Sequence, residues 1–404
     1  MPRATTRLRA LLWSAALLAC PPTFAQQATQ DPANAPRPVN DSDEWAPSAG
    51  QDSLPLGPTQ SLPDVVPKPA RTASEWIVVP VPSYNPSQKL GLSLKAQYIF
   101  HPPEAGGKPD IIGFGIGGTE KGSYGGGGAY IGHFDNDRWR FVGAGGFGQY
   151  KYDYYGIGSE AGSRDESIPV SQKTAHVFLV LARQLWSGWY LGPRLHYQSI
   201  DATAHDIPDD LRADLPVNGS AKQTQVSLGA QLQYDTRDNN FYPTRGSFFN
   251  ATADYFDDAF GADNTFSTYQ FTYNRYLGYG ADDVLALRAL LRLSYGDVPY
   301  YELSRFGSRS DLRGYKSGRY RDRMMYDAQG EFRHRFNAKW SAAAFAGLGA
   351  VAPEVGELWQ KQVLWSIGGG IRYRLGERNP VDLRLDVGWG RDGTATYLGV
   401  GQAF

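Results

Sequence analysis

Residues 225–235 read Gln-Val-Ser-Leu-Gly-Ala-Gln-Leu-Gln-Tyr-Asp, and their period decides the fold class. Val226, Leu228, Ala230, Leu232 and Tyr234 occupy the even positions, while Gln225, Ser227, Gly229, Gln231, Gln233 and Asp235 occupy the odd ones. A helix repeats every 3.6 residues and mixes these sets; a strand with two unlike faces separates them. The same alternation runs through 89–100, with Leu90, Leu92, Leu94, Ala96, Tyr98 and Phe100 on one face, and through 381–389, with Val381, Leu383, Leu385, Val387 and Trp389. These segments exceed the usual ~5–6 residues of soluble strands and approach the ~9–11 that cross a bilayer at a tilt. Their polar faces carry full charges, among them Arg288, Arg292, Arg372, Arg374 and Arg384. A soluble sandwich alternates too, but a wet lumen suits these charges, and a closed barrel pairs every backbone group in hydrocarbon.

Extending the period along the chain places strands at 76–84, 89–100, 109–118, 123–134, 139–155, 172–184, 189–199, 223–235, 246–256, 265–279, 283–296, 323–336, 340–351, 363–375, 380–389 and 394–404. The expected fold is therefore all-β: a 16-stranded antiparallel transmembrane β-barrel, an even count as single-chain bacterial barrels have. If the first strand starts on the periplasmic side, the outer connections include 156–171, 200–222 and 297–322, and the inner ones the short 135–138, 185–188, 337–339 and 376–379. Short inner turns with longer outer loops are the usual asymmetry.

Composition agrees. The 404 residues carry 40 Lys plus Arg against 41 Asp plus Glu, which disfavours nucleic acid as a partner. Tyr (25) and Gly (47) are abundant, as strands and turns require. Arg3, Arg7 and Arg9 precede a short apolar run, 10–19, and Thr23-Phe24-Ala25 offers a cleavage site, so 1–25 reads as an export signal. Leu17-Leu18-Ala19-Cys20 leaves open a lipidated Cys20 instead. Residues 26–73 are proline-rich, with Trp45 their one aromatic, and read as a disordered periplasmic linker before a barrel domain at 74–404.

Four stretches, in order, resemble the bacterial surface antigen family, the BamA/TamA-type outer-membrane barrels. Asp235-Thr236-Arg237-Asp238-Asn239-Asn240-Phe241-Tyr242-Pro243-Thr244-Arg245-Gly246 is similar to that family's inner-turn signature. Leu312-Arg313-Gly314-Tyr315 matches its outer-loop tetrapeptide, and Glu331-Phe332-Arg333 fits the following strand. The end, Tyr397-Leu398-Gly399-Val400-Gly401-Gln402-Ala403-Phe404, resembles a C-terminal assembly signal. The resemblance implies a Gram-negative outer-membrane protein that assists insertion or translocation of protein or lipid, with outer-membrane lipid, lipopolysaccharide and client outer-membrane proteins as partners. Two departures stand out. The family's periplasmic POTRA domains find no room in 26–73, and Gly347 sits where the family often carries an Asp facing the loop Arg. Glu331 is left as the expected partner of Arg313, with the loop folded into the lumen.

Other signals point elsewhere more weakly. Gly143-Ala144-Gly145-Gly146-Phe147-Gly148 fits GxGxxG, yet a strand continues where a dinucleotide site needs a helix. The six His show no metal spacing, and no G-x-S-x-G elbow frames a nucleophile, so neither a cofactor nor an enzyme is expected. Asp254, Asp257, Asp258 and Asp263 read as a solvated loop face, or as a Ca²⁺ or lipopolysaccharide bridge. A passive diffusion channel and a structural surface-antigen barrel remain as alternative functions.

Two local expectations follow from strand geometry. Phe404 shares parity with Leu398 and Val400 and should point outward, toward the membrane interface. Pro80 and Pro82 lie two apart in the first strand, so both missing donors belong to one edge. That edge should face the last strand and close the barrel weakly.

Overall fold

The computed structural model describes residues 75–100, 110–164, 166–204, 220–238, 242–280, 282–307, 310–374 and 382–404. The expected signal, Cys20 and the linker 26–73 lie outside the described residues. Sixteen antiparallel strands close into a barrel. In chain order they are β1 (Glu75–Asn85), β2 (Lys89–Ile99), β3 (Ile111–Thr119), β4 (Tyr124–Phe134), β5 (Trp139–Tyr154), β6 (Ile168–Trp186), β7 (Trp189–Ala204), β8 (Ser220–Asp235), β9 (Gly246–Phe256), β10 (Phe266–Tyr279) and β11 (Asp283–Gly296). A two-residue ribbon, β12 (Ser304–Arg305) with β13 (Arg321–Asp322), follows within the loop 297–323. The wall resumes with β14 (Met324–Arg335), β15 (Trp340–Ala352), β16 (Leu364–Arg374), β17 (Asp382–Gly390) and β18 (Gly393–Val400).

The alternation read from sequence becomes a wall with an apolar outside. On β6, Val177, Leu179 and Leu181 are exposed while His176, Phe178 and Val180 are buried toward the lumen. Aromatic belts mark both edges of this apolar band. Trp139, Trp186, Trp340 and Tyr279 lie near the rim that carries the short turns, and Tyr124, Tyr255, Trp365 and Trp389 near the rim that carries the long loops. Amphipathic rings settle at such boundaries because one end is apolar and the other wet.

All sixteen expected strands are present, with instructive differences in extent at four of them. β6, β7 and β8 run further toward the long-loop rim than the apolar pattern predicts. There Ile168, Val170, Ile200 and Ala202 turn inward against Tyr300, Tyr301 and Leu303 of the 297–323 loop, so the added length of β6 and β7 is stabilised by the loop. The last strand stops at Val400, four residues short of the expected end.

The 297–323 loop packs inside the barrel. Leu290, Met325, Val351 and Leu364 of the wall pack with Phe306, Leu312, Tyr315 and Tyr320 of the loop into one apolar cluster. A short helix, α1 (Ser159–Ser163), covers the loop from the long-loop side, its Gly162 carbonyl accepting from Arg319 Nε at 2.8 Å.

Candidate functional site: a loop lock and an unpaired seam

The tetrapeptide Leu312-Arg313-Gly314-Tyr315 lies inside the barrel with every member buried. Gly314 holds φ +118°, and a Cβ there would come within 2.9 Å of the Gly390 amide nitrogen, so only glycine lets the chain pass this close to β17. Its amide donates to the Tyr397 hydroxyl at 3.0 Å, and that hydroxyl donates to the Tyr315 carbonyl at 3.0 Å. The Tyr315 hydroxyl in turn reaches the Trp365 carbonyl at 2.7 Å. Ser366 Oγ donates to the Arg313 carbonyl. These bonds orient the Arg313 side chain toward the wall.

The guanidinium meets two carboxylates there. Arg313 Nη2 is 2.7 Å from Glu331 Oε2, and Nη1 donates to Asp386 Oδ2 at 2.8 Å. Its Cζ lies 3.4 Å from the Phe345 ring centroid. Glu331 also accepts from Arg333 Nε at 2.8 Å, and Asp386 from Arg372 Nη1 at 2.5 Å. Arg384 Nε stands 3.5 Å from Asp386. Removing such charges from water costs several kcal/mol apiece, and close, hydrogen-bonded opposites are what offset it. The planar fork of arginine can hold two carboxylates on two strands at once, which an ammonium does less well. A second tie reinforces the first: Asp311, two residues earlier, lies 3.4 Å from Arg292 and 3.8 Å from Arg288 on β11.

Glu331 thus contacts Arg313, as the resemblance implied, but it is not that arginine's one acidic partner. Asp386 on β17 is the other. Its inward parity with Asp382 and Arg384 was visible in sequence; nothing there indicated which strand the loop would reach. Gly347 does not mark a lost contact. A Cβ there would lie 2.9 Å from Leu312 Cδ1, so its missing side chain makes room for the loop.

Phe404 corrects an expectation. At Gly401 (φ +88°) the chain leaves the wall, and Gly401–Phe404 turn into the lumen, all buried. Phe404 joins Tyr276, Ala286 and Ala403, and Arg333 Nη2 donates to the Phe404 main-chain oxygen. Gln402 holds the tail by donating to Asp382 at 3.1 Å and accepting from Arg372 at 3.3 Å. Strand parity predicts side-chain direction only while the strand lasts, and a left-handed glycine ends it. Leu398 and Val400, still in β18, are half-buried, while Tyr397 is buried on the inward face.

The inner-turn signature also points inward. Asp235 accepts from Arg237 Nε at 2.9 Å and Nη2 at 2.6 Å, and Asp238 accepts from the Thr244 and Arg245 amides. Tyr242 is delivered into the lumen with its ring centroid 5.6 Å from Arg333. Tyr242, Tyr276 and Phe404 gather around Arg333 at the short-turn end.

The β6–β7 ladder skips Leu181 and Ala182 and shifts register between Gln184 and Trp186, yet keeps fourteen registered pairs; β1 and β18 share one, Tyr84↔Leu398, against eleven between β1 and β2. Carrying that register down β1 sets Pro82 opposite Val400 and Pro80 opposite Gln402, which has already turned away. The β1–β2 ladder passes both prolines without a break, so their missing N–H groups belong to the β18 side.

A lumen-filling loop carrying Arg-Gly-Tyr, an inward tail and a short first–last seam on sixteen strands accompany a family match. The Omp85 superfamily domain matches residues 106–404. The chain belongs to the Omp85 superfamily. Among solved structures, this Omp85 barrel resembles BamA from Haemophilus ducreyi lacking POTRA domains 1-3, with TM-score 0.58 and 14% identity over 82% of this chain and 71% of that one. It also resembles CdiB from Acinetobacter baumannii (TM-score 0.53, 12% identity, 81% of this chain and 59% of that one). CdiB from Escherichia coli matches at TM-score 0.54 and 12% identity, over 81% and 63%. The chain spans less than two thirds of either CdiB structure. These likenesses establish the fold as that of an outer-membrane β-barrel. No curated protein matches the chain.

Proposed function

We propose that this Omp85 barrel assists insertion or translocation of protein or lipid at the outer membrane of a Gram-negative bacterium, by opening sideways between β1 and β18. The carrying observation is the seam, where one registered pair stands in place of the eight or more that join neighbouring wall strands. Each backbone pair forgone costs about 1 kcal/mol net, and more where its acceptor faces hydrocarbon. The seam is therefore the wall's weakest line. On this reading the short-turn rim and the N-terminus face the periplasm. The loop and tail keep the lumen closed while the seam works, which disfavours passive diffusion. Client outer-membrane proteins or lipids pass along the exposed edge of β1.

The test is genetic and chemical together. Depleting the protein should shift the outer-membrane protein or lipid content, and the wild-type chain should restore it. A Tyr84→Cys, Leu398→Cys chain in a Cys20→Ser background should fail to restore it until a reductant opens the cross-link. Full rescue by the oxidised, cross-linked chain would remove the lateral-opening reading.

A further inference from the structure

The outer face of β5–β8 carries charge that neither the lock nor the seam uses. Register places Gln149 beside Lys173, Lys173 beside Asp201, and Asp201 beside Lys222, one row across four strands. Lys151, Ser171 and Thr203 form the next row toward the long-loop rim. All share the parity of Phe147, Val177, Tyr197 and Leu228, the exposed apolar residues of these strands, so all face outward. Adjacent strands lie about 4.8 Å apart, which puts Lys173 and Lys222 on the order of 10 Å from each other.

The level of the row is informative. Between the belt residue Trp139 and Gln149, β5 rises about 33 Å along its axis, or ~23 Å at a tilt of roughly 45°. That is close to the ~25 Å apolar band of such barrels. Tyr124 of the opposite belt bonds to Gln149 at 3.3 Å, which places the row at the boundary itself. Gln149, Lys151, Ser171, Lys173, Asp201 and Thr203 line a cleft of about 560 Å³ that includes Lys121 and Asp153, and Lys222 stands beside it, opposite Asp201. Lys121 and Asp153 neutralise each other at 2.5 Å. The ammonium groups of Lys151, Lys173 and Lys222 have no ion pair among the described residues. Against these three cations stands Asp201, so the patch is anion-seeking at the depth where headgroups lie.

We propose that this face binds the phosphorylated sugar headgroup of an outer-leaflet glycolipid. The lysines take phosphate, Gln149, Ser171 and Thr203 take sugar hydroxyls, and the acyl chains lie down the wall over Phe147, Val177 and Tyr197. The assignment of leaflet rests on the orientation proposed above. Binding anchors the rigid β5–β8 wall, far around the barrel from the seam.

Purified full-length protein in detergent is titrated with bisphosphorylated lipid A, dephosphorylated lipid A, phosphatidylglycerol and inorganic phosphate. The Lys151→Glu, Lys173→Glu, Lys222→Glu chain should bind lipid A at least ten-fold more weakly than wild type, and a Lys361→Glu control should not. Wild type should prefer lipid A to its dephosphorylated form, and millimolar phosphate should not displace it. Equal binding by the triple variant, by dephosphorylated lipid A or by phosphatidylglycerol overturns the site. Heat-modifiable migration reports folding, and the single Lys173→Glu chain stands in if the triple variant misfolds. Labelling of Lys173→Cys from the periplasm alone would overturn the leaflet while leaving detergent binding intact, so the two failures are distinguishable.

Discussion

Arg313 concentrates the chemistry of the lumen. It is completely buried, bridges Glu331 on β14 to Asp386 on β17, and stacks on Phe345 of β15. Removing one member of such a cluster leaves the others charged and unpartnered, which typically costs about 3–5 kcal/mol. Arg313→Ala should therefore release the loop, seen as a lower temperature for loss of heat-modifiable migration and as raised single-channel conductance. Arg313→Lys should recover part of this, because an ammonium keeps the charge but spans the two carboxylates less well. Equal behaviour of the Ala and Lys variants would show that the loop is held by Tyr315 and Leu312 and not by charge. Gly314→Ala is expected to be as damaging as Arg313→Ala, since a Cβ would press on the β17 backbone.

At the scale of elements, the seam and the tail act on the same strand end. β18 stops at Val400 because the next four residues are bound across the lumen by Arg333, Arg372 and Asp382. The lower part of β1 is thereby left without β18 beside it, and Pro80 and Pro82 keep that edge poor in donors. Pro82→Val adds a donor opposite Val400. It should tighten the seam by about 1 kcal/mol and slow amide exchange at the first–last junction. Unchanged exchange there would mean that the proline is not what weakens the pairing. Phe404→Ala separates two roles. A plug residue should, when truncated, raise conductance with folded protein at wild-type amount. An assembly signal should, when truncated, lower the amount of folded protein. The geometry of the tail favours the first outcome.

On the scale of the whole molecule, the barrel is a closed wall with one weak line and a loop and tail packed inside it. Three separate segments enter it: the 297–323 loop, the 236–245 turn through Tyr242, and the tail. Wild-type protein in planar bilayers should conduct little, and a variant lacking residues 401–404 should conduct more, since Tyr242, Tyr276 and Arg333 lose the ring that completes the closure. Large, steady wild-type conductance would favour a diffusion channel.

The strands and the barrel were readable in the chain because a period of two is local: each residue's face follows from its neighbours two away, and bilayer thickness sets the length. The lock was half readable. Arg313 and Glu331 carry a recognisable pattern, and the parity of β14 turned Glu331 inward. Asp386 was inward by the same rule, yet its partnership depends on where a 27-residue loop lands across a cavity, which no period encodes. Phe404 marks the limit most clearly. Parity sent it outward, and one left-handed glycine with a ring of lumen partners from β10, β11 and β14 drew it in. Strand geometry is decided by short-range backbone repetition, so sequence alone determined the wall; the contents of the lumen are decided by long-range pairing of buried charges and rings, and only the tertiary structure could place them.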